Sequence, residues 1–158
     1  MKGKTNAMRI LDKEGLAYET YSYDSADGKI DGVSTAEKIG KSADSVFKTL
    51  VTIGTDKQIY VFVIPVIEEL DLKKAAKAAG AKKLEMIPVK DIQKYTGYIR
   101  GGCSPIGMKK LYPTFLDSHT ISQENIIVSA GKIGQQIELK AADLIAITNA
   151  VTEHEIVK

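Results

Sequence analysis

The chain of 158 residues has one cysteine, two histidines and no long apolar run. A single thiol, Cys103, cannot build an intrachain disulfide framework, which points to a reducing compartment. The longest apolar stretch, Ile59–Ile67, falls well short of the ~20 residues that span a bilayer. Met1–Leu11 lacks the apolar core of a secretory signal. These features lead to the expectation of a cytoplasmic protein with no membrane attachment. Metal signatures are missing too: there is no CxxC, no HExxH and no EF-hand loop, and His119 and His154 stand isolated. Gly131-Lys132 lacks the upstream glycine and the following hydroxyl residue of a phosphate-binding P-loop. No GxGxxG follows a strand, and no GxSxG is present to form a hydrolase elbow. The expectation is a protein that works without metal or cofactor.

What is present describes one folded domain. Hydrophobic residues make up 44% of the chain, which excludes disorder. No repeat or low-complexity stretch divides it, so residues 1–158 are read as one domain. Thr5 can cap a helix with Met8 and Leu11 on one side, ending at Gly15. Tyr18–Tyr23 reads as a strand. Ser34-Thr35-Ala36-Glu37 is a capping-box pattern for a helix stopped by Gly40. Val46–Ile53 and Ile59–Ile64 read as strands, the second buried on both faces. Asp71 caps a helix with Leu72, Ala75, Ala76 and Ala79 on one stripe and Gly80 at its end. Lys83–Ile87 is a short strand and Val89–Tyr95 a helix ended by Gly97. Two strands, Ile126–Ser129 and Gln136–Leu139, flank a glycine turn before a last helix over Ala141–Val151. The order lacks a strict βαβ rhythm. The fold class expected is mixed α/β (α+β): a mixed, partly barrel-like sheet with helices around it.

Net charge is only +2, but it is unevenly spread. Between Asp71 and Lys110, nine lysines and Arg100 face Asp71, Glu85 and Asp91, a local excess of seven positive charges. Such a segment is either a footprint for a polyanion or an ordinary solvated surface. Lys48 is the only charged residue between Val46 and Gly54. On a strand it shares a face with Val46 and Leu50. It is either a desolvated lysine fit for acid–base or electrostatic work, or an edge lysine with its head in water. Gly101-Gly102-Cys103-Ser104-Pro105 either lets backbone N–H groups approach a ligand or is a plain tight connection. Cys103 within it is either a nucleophile in search of a base or a small residue filling space. Val128-Ser129-Ala130-Gly131-Lys132 is either a ligand-facing turn or a hairpin.

In combination these segments are specific. Val46-Phe47-Lys48-Thr49-Leu50, Leu70-Asp71-Leu72-Lys73-Lys74, Thr96-Gly97-Tyr98, the GGCSPIG loop from Gly101, and Val128–Lys132 occur in this order. In this they closely resemble the YbaK/EbsC family, free-standing relatives of the editing insertion in bacterial prolyl-tRNA synthetase. The resemblance runs from about Met8 to Leu144 and implies a single YbaK-type editing domain. It implies a trans-editing hydrolase that deacylates mischarged Cys-tRNA(Pro), with Ala-tRNA(Pro) or a non-catalytic aminoacyl-tRNA binding module as alternatives. By resemblance Lys48 is the critical residue. Thr49, Gly101, Gly102, Ser104, Pro105 and Ser129 match positions lining the substrate pocket, and Tyr23 matches an aromatic at its mouth. Gln136 stands where an acidic residue is common and Ile133 where a basic one is common. The implied partners are aminoacyl-tRNA(Pro) and, transiently, prolyl-tRNA synthetase.

Overall fold

The computed structural model describes residues 4–120 and 122–158. Two sheets carry the fold. In the first, β1 (Glu19–Ser22), β7 (Gln135–Lys140) and β6 (Asn125–Lys132) lie in the order β1-β7-β6, all antiparallel. In the second, β4 (Leu84–Met86), β2 (Phe47–Gly54), β3 (Ile59–Pro65) and β5 (Thr114–Leu116) lie in the order β4-β2-β3-β5. The β2–β3 and β2–β4 pairs are antiparallel, and β3–β5 is parallel. Val46 pairs with Ile127 in a parallel bridge that joins the second sheet to the first. The mixed sheet is thus curled, with α1 (Asn6–Lys13), α2 (Gly32–Ile39), α3 (Leu72–Ala79), α4 (Ile92–Thr96) and α5 (Ala141–Thr148) packed around it. No helix among the described residues is long and apolar enough to cross a membrane.

The elements follow from local chemistry. The Met8 N–H donates to Thr5 Oγ1 at the start of α1, and Gly15 follows its end at φ 71°. Asp71 accepts from the Lys73 and Lys74 N–H groups at the start of α3, and Gly80 ends it in the left-handed region. β3 is buried at every position, as a strand covered on both faces must be. One of its faces packs Tyr60, Phe62 and Ile64 against Ala75 and Ala76 of α3 and against Ile156 and Val157. Phe62 pairs with Phe115 of β5, their rings stacked at 5.1 Å and 18°. The first sheet buries Ile126, Val128 and Ile137 against Ala7, Met8 and Leu11 of α1 and Leu144 of α5.

Four expectations need correction. The helix over 34–37 starts earlier, because Asp31 rather than Ser34 is its cap: Asp31 is extended and accepts from the Ser34 N–H at 3.0 Å. The 89–95 segment divides into a 3-10 turn, Val89–Asp91, and α4. The last helix stops at Thr148, because Asn149 takes a left-handed conformation at φ 56°. Leu72 lies on the outer edge of the α3 stripe, 37% exposed. One strand, β5, has no counterpart in the sequence reading. Its three residues give no periodicity, and its pairing to β3 comes from distant chain.

The C-terminal segment is tied to the second sheet by backbone bonds, among them Asp71 N–H to Ile156 O, and by one buried carboxylate. Asp117, 1% exposed, accepts from the Ile156 N–H at 2.8 Å and from the His119 N–H at 3.1 Å. Asp117→Ala leaves the Ile156 N–H without its acceptor in an apolar surrounding. It should lower unfolding free energy by about 2–4 kcal/mol in urea titration. A loss below about 1 kcal/mol would show that the backbone bonds and packing hold the segment without this carboxylate.

Candidate active site

A cavity of about 740 Å³ lies between the second sheet, the seam to the first and the segments that cross them. That volume falls within the range of small-molecule sites. Val46, which precedes β2, and Phe47 through Val51 of β2 line one wall, and Ser129 of β6 and Gln136 of β7 form a cross-strand pair on another. Met86, Ile87, Val89 and Ile92 close a third side. Gly28, Ile30, Asp31 and Gly32 come from the loop before α2 and its first turn, and Arg100, Gly101 and Cys103 from the glycine turn.

Lys48 is half-buried on this wall. Among the described residues no carboxylate lies within 4.0 Å of its ammonium. Burial pulls its pKa below the ordinary 10.5, and the more distant carboxylates of Glu69 and Glu68 offset part of that fall. Lys48 thus presents a partly desolvated ammonium on the cavity wall. Beside it, Thr49 Oγ1 is buried with no hydrogen-bond partner, and so is Gln136 Oε1, on a residue 6% exposed. Ser129 Oγ accepts from the Gly131 N–H at 3.1 Å. Asp31 also reaches the cavity, but its carboxylate is committed to the α2 cap, and the Ser34 N–H bond holds its pKa below the usual range.

Each glycine of the turn answers a separate close approach. Gly101 sits at φ 85°, and a Cβ there would lie 2.8 Å from Ile30 Cδ1. A Cβ on Gly102 would lie 2.9 Å from Ile133 N and 3.0 Å from Lys132 C, which are backbone atoms that cannot give way. Gly102 therefore seats the turn on the β6–β7 connection. Tyr98 fixes the turn from the other side. Its ring packs on Gly131 and its hydroxyl donates to Ile106 O at 2.6 Å, and burial pushes its pKa up to about 12. The Tyr98 N–H in turn donates to Thr96 Oγ1 at 3.0 Å.

Of the residues singled out in the sequence, Lys48, Thr49, Gly101 and Ser129 come together on the cavity wall. Gly102 supports that wall from behind. Ser104 is fully buried and accepts from the Ile106 N–H at 3.2 Å, shaping the turn from within. Pro105 lines a smaller depression of about 180 Å³, beside Ile10 and Tyr112. Tyr23 stands next to the cavity loop, its hydroxyl buried without a partner and its N–H bonded to Gly134 O. Ile133 packs against Gly101. The sequence reading missed Ile30, Asp31 and the Met86–Ile92 wall. Met86 and Val89 are 44% and 54% exposed, and nothing in their short apolar segment marked them in the sequence as lining a cavity. His119 bonds Asp117 and His154 stands 3.9 Å from Glu153; neither lines the cavity. Among the described residues no three His, Cys, Asp or Glu side chains gather as metal ligands.

Burial pushes the Cys103 thiol up to about 11 from 9.0. At pH 8 its thiolate fraction is then ~100-fold below that of an unshifted thiol. Iodoacetamide should label native Cys103 ~100-fold more slowly than the unfolded chain, with the rate still rising with pH above 9. Rapid labelling of the folded protein would mark Cys103 as an accessible thiolate.

Comparison with known proteins agrees with this geometry. The aminoacyl-tRNA editing domain family matches residues 31–147. The chain is 49% identical over 146 residues to the Enterococcus faecalis protein named "Putative Cys-tRNA(Pro)/Cys-tRNA(Cys) deacylase EbsC", covering 92% of this chain and 89% of that one. It is 32% identical over 99 residues to a proline–tRNA ligase of Shouchella clausii, covering 63% of this chain and 17% of the ligase. A solved structure described as "a putative trans-editing enzyme for prolyl tRNA synthetase" superposes with a TM-score of 0.85 over 99% of both chains at 20% identity, which establishes a shared fold. The family match covers α2 with its Asp31 cap, the lysine strand, the glycine turn and the Ser129–Gln136 pair, and the chain belongs to the aminoacyl-tRNA editing domain family.

Proposed function

We propose that the protein is a trans-editing deacylase that hydrolyses the ester of cysteine wrongly attached to tRNA(Pro). The observation that carries this reading is Lys48: a half-buried ammonium with no carboxylate at ion-pair distance, beside the orphaned oxygens of Thr49 and Gln136. The family and the deacylase relative support the same reading.

An aminoacyl ester is already activated, so positioning and charge stabilisation are sufficient help. In the proposed reaction the ester carbonyl lies near Gly101, and Lys48 donates to the carbonyl oxygen as negative charge develops there. A water molecule adds to the carbonyl carbon, the carbon–ribose oxygen bond breaks, and the ribose hydroxyl leaves with a proton while free cysteine is released. Alternatively the substrate's own thiol attacks the carbonyl carbon: the sulfur–carbon bond forms as the carbon–ribose oxygen bond breaks, the thiol proton passes to the ribose oxygen, and water then opens the resulting cysteine thiolactone to free cysteine. Cysteine and proline side chains differ little in volume, and an apolar pocket separates such near-isosteres by only ~1–3 kcal/mol, so a second, correcting site is chemically reasonable. The excess of lysines between Asp71 and Lys110 supplies weak affinity for phosphates. Selection of the tRNA itself is assigned to a transient complex with prolyl-tRNA synthetase, expected in pull-down with charged tRNA at low salt and absent if the deacylase reads tRNA(Pro) alone.

Hydrolysis of Cys-tRNA(Pro), Cys-tRNA(Cys) and Ala-tRNA(Pro) tests the reading. Wild type should clear the cysteinyl esters fastest. Lys48→Ala should lose at least ~100-fold in kcat/KM, as removal of an oxyanion-stabilising donor does. Cys103→Ala should stay within about threefold of wild type. Because burial lowers the Lys48 pKa, deacylation above the spontaneous rate should fall with rising pH through a midpoint below 10.5. Failure to hydrolyse any of the three esters would leave a binding module of the same fold.

A further inference from the structure

The connection between β1 and α2 gives Gly28, Ile30 and Asp31 to the cavity wall. Its ends are fixed: the Tyr23 N–H donates to Gly134 O at 2.9 Å, and Asp31 caps α2. Between them the chain forms no helix or strand. Its internal bonds are short-range. The Ala26 N–H donates to Asp24 Oδ1, the Gly28 N–H to Ser25 O and the Lys29 N–H to Asp27 Oδ1. Such turns shape the loop and cannot hold it against the body of the protein.

One side chain does. Lys38, a turn and a half along α2, donates to Asp24 O at 2.6 Å, to Asp27 Oδ1 at 2.8 Å and to Lys29 O at 2.9 Å. An ammonium has three N–H donors, and here all three go to one loop. The side chain is only 21% exposed and its charge lies 5.8 Å from the Tyr23 ring centroid. A lysine on a solvated helix face holds none of these partners. The clamped loop in turn places Ile30 against Gly101, where its Cδ1 leaves no room for a Cβ.

We propose that Lys38 is a positioning residue for the deacylation: by clamping residues 24–29 to α2 it holds Ile30 against the Gly101 turn and so fixes this side of the cavity that receives the ester end of the substrate. The proposal rests on the deacylase reading, and Lys38 acts through the loop without touching the reacting atoms.

Three variants test it in the whole protein. Lys38→Met keeps the stem and removes every donor, Lys38→Arg keeps the charge, and Asp27→Ala removes one acceptor from the loop side. Amide hydrogen exchange without substrate is the first readout. Lys38→Met should speed exchange of residues 24–30 at least about tenfold, with β2, β3 and β6 unchanged. Steady-state hydrolysis of Cys-tRNA(Pro) is the second. Lys38→Met should raise KM about tenfold and hold kcat within about threefold, Lys38→Arg should recover most of the KM, and Asp27→Ala should fall between. An unchanged KM, a fall in kcat at constant KM, or uniformly faster exchange across the strands would overturn the proposal. If Lys38→Met does not fold, Asp27→Ala carries both readouts. If wild type hydrolyses no ester, the deacylase reading fails and the positioning role falls with it, while exchange alone still decides whether Lys38 clamps the loop.

Discussion

Val46 and Ile127, each 1% exposed, pair in parallel where the two sheets meet, and the Val66 N–H closes the β2–β3 hairpin onto Val46 O at 2.9 Å. The candidate side chains on β2 and β6 are placed by counting outward from that seam. Along β2 the next residues are Phe47, which goes into the core of the first sheet, and Lys48, which goes to the cavity. Along β6, Ser129 lies two residues beyond Ile127 and is opposed by Gln136 of β7. Side chains alternate along a strand, so a one-residue slip at the seam would exchange Phe47 and Lys48. That would bury an ammonium in the core and expose a phenyl ring. The seam therefore ties the stability of the fold and the position of the lysine to the same register.

The glycine turn is held by its neighbours rather than by its own bonds. Tyr98 presses on Gly131 from one side and grips Ile106 O, and the β6–β7 connection receives Gly102 from the other. A loop fixed at several points loses little freedom when a ligand arrives, which is the physical basis of preorganisation. The loop before α2 is fixed at its two ends, and between them Lys38 is the side chain that bonds it to α2. The two sides of the cavity approach each other where Ile30 meets Gly101.

How much of this was legible in the sequence depended on the range of the cause. Caps and stops are local, so Thr5, Asp71, Gly40, Gly80 and Gly97 marked their helices from the chain alone. The capping box at Ser34 misled because Asp31, three residues earlier, offers a better-placed acceptor. β5 was illegible because a three-residue strand has no period and its partner lies some fifty residues away. In the site, Lys48 was visible as an isolated charge in an apolar strand. Resemblance rather than spacing joined it to Gly101 and Ser129. The Met86–Ile92 wall and Ile30 were invisible, because apolar residues in short segments carry no sign of the surface they will line. Lys38 gave no sign either, since a lysine on a short helix looks solvated until its three acceptors are seen.

The neutral residue at 136 bears on the chemistry of the lysine. Gln136 and Lys48 share one cavity, and a carboxylate at 136 would stabilise the ammonium and counter the effect of burial. With an amide there, the opposing carboxylates are Glu69 and Glu68, and burial prevails. An ammonium already short of solvent and without a counter-charge gains most from an oxygen on which negative charge develops, because nothing nearby has neutralised it beforehand. The unpartnered oxygens of Thr49 and Gln136 follow the same logic. A buried polar atom without a partner costs about 1–3 kcal/mol, and a ligand that supplies the missing partner recovers that cost on binding.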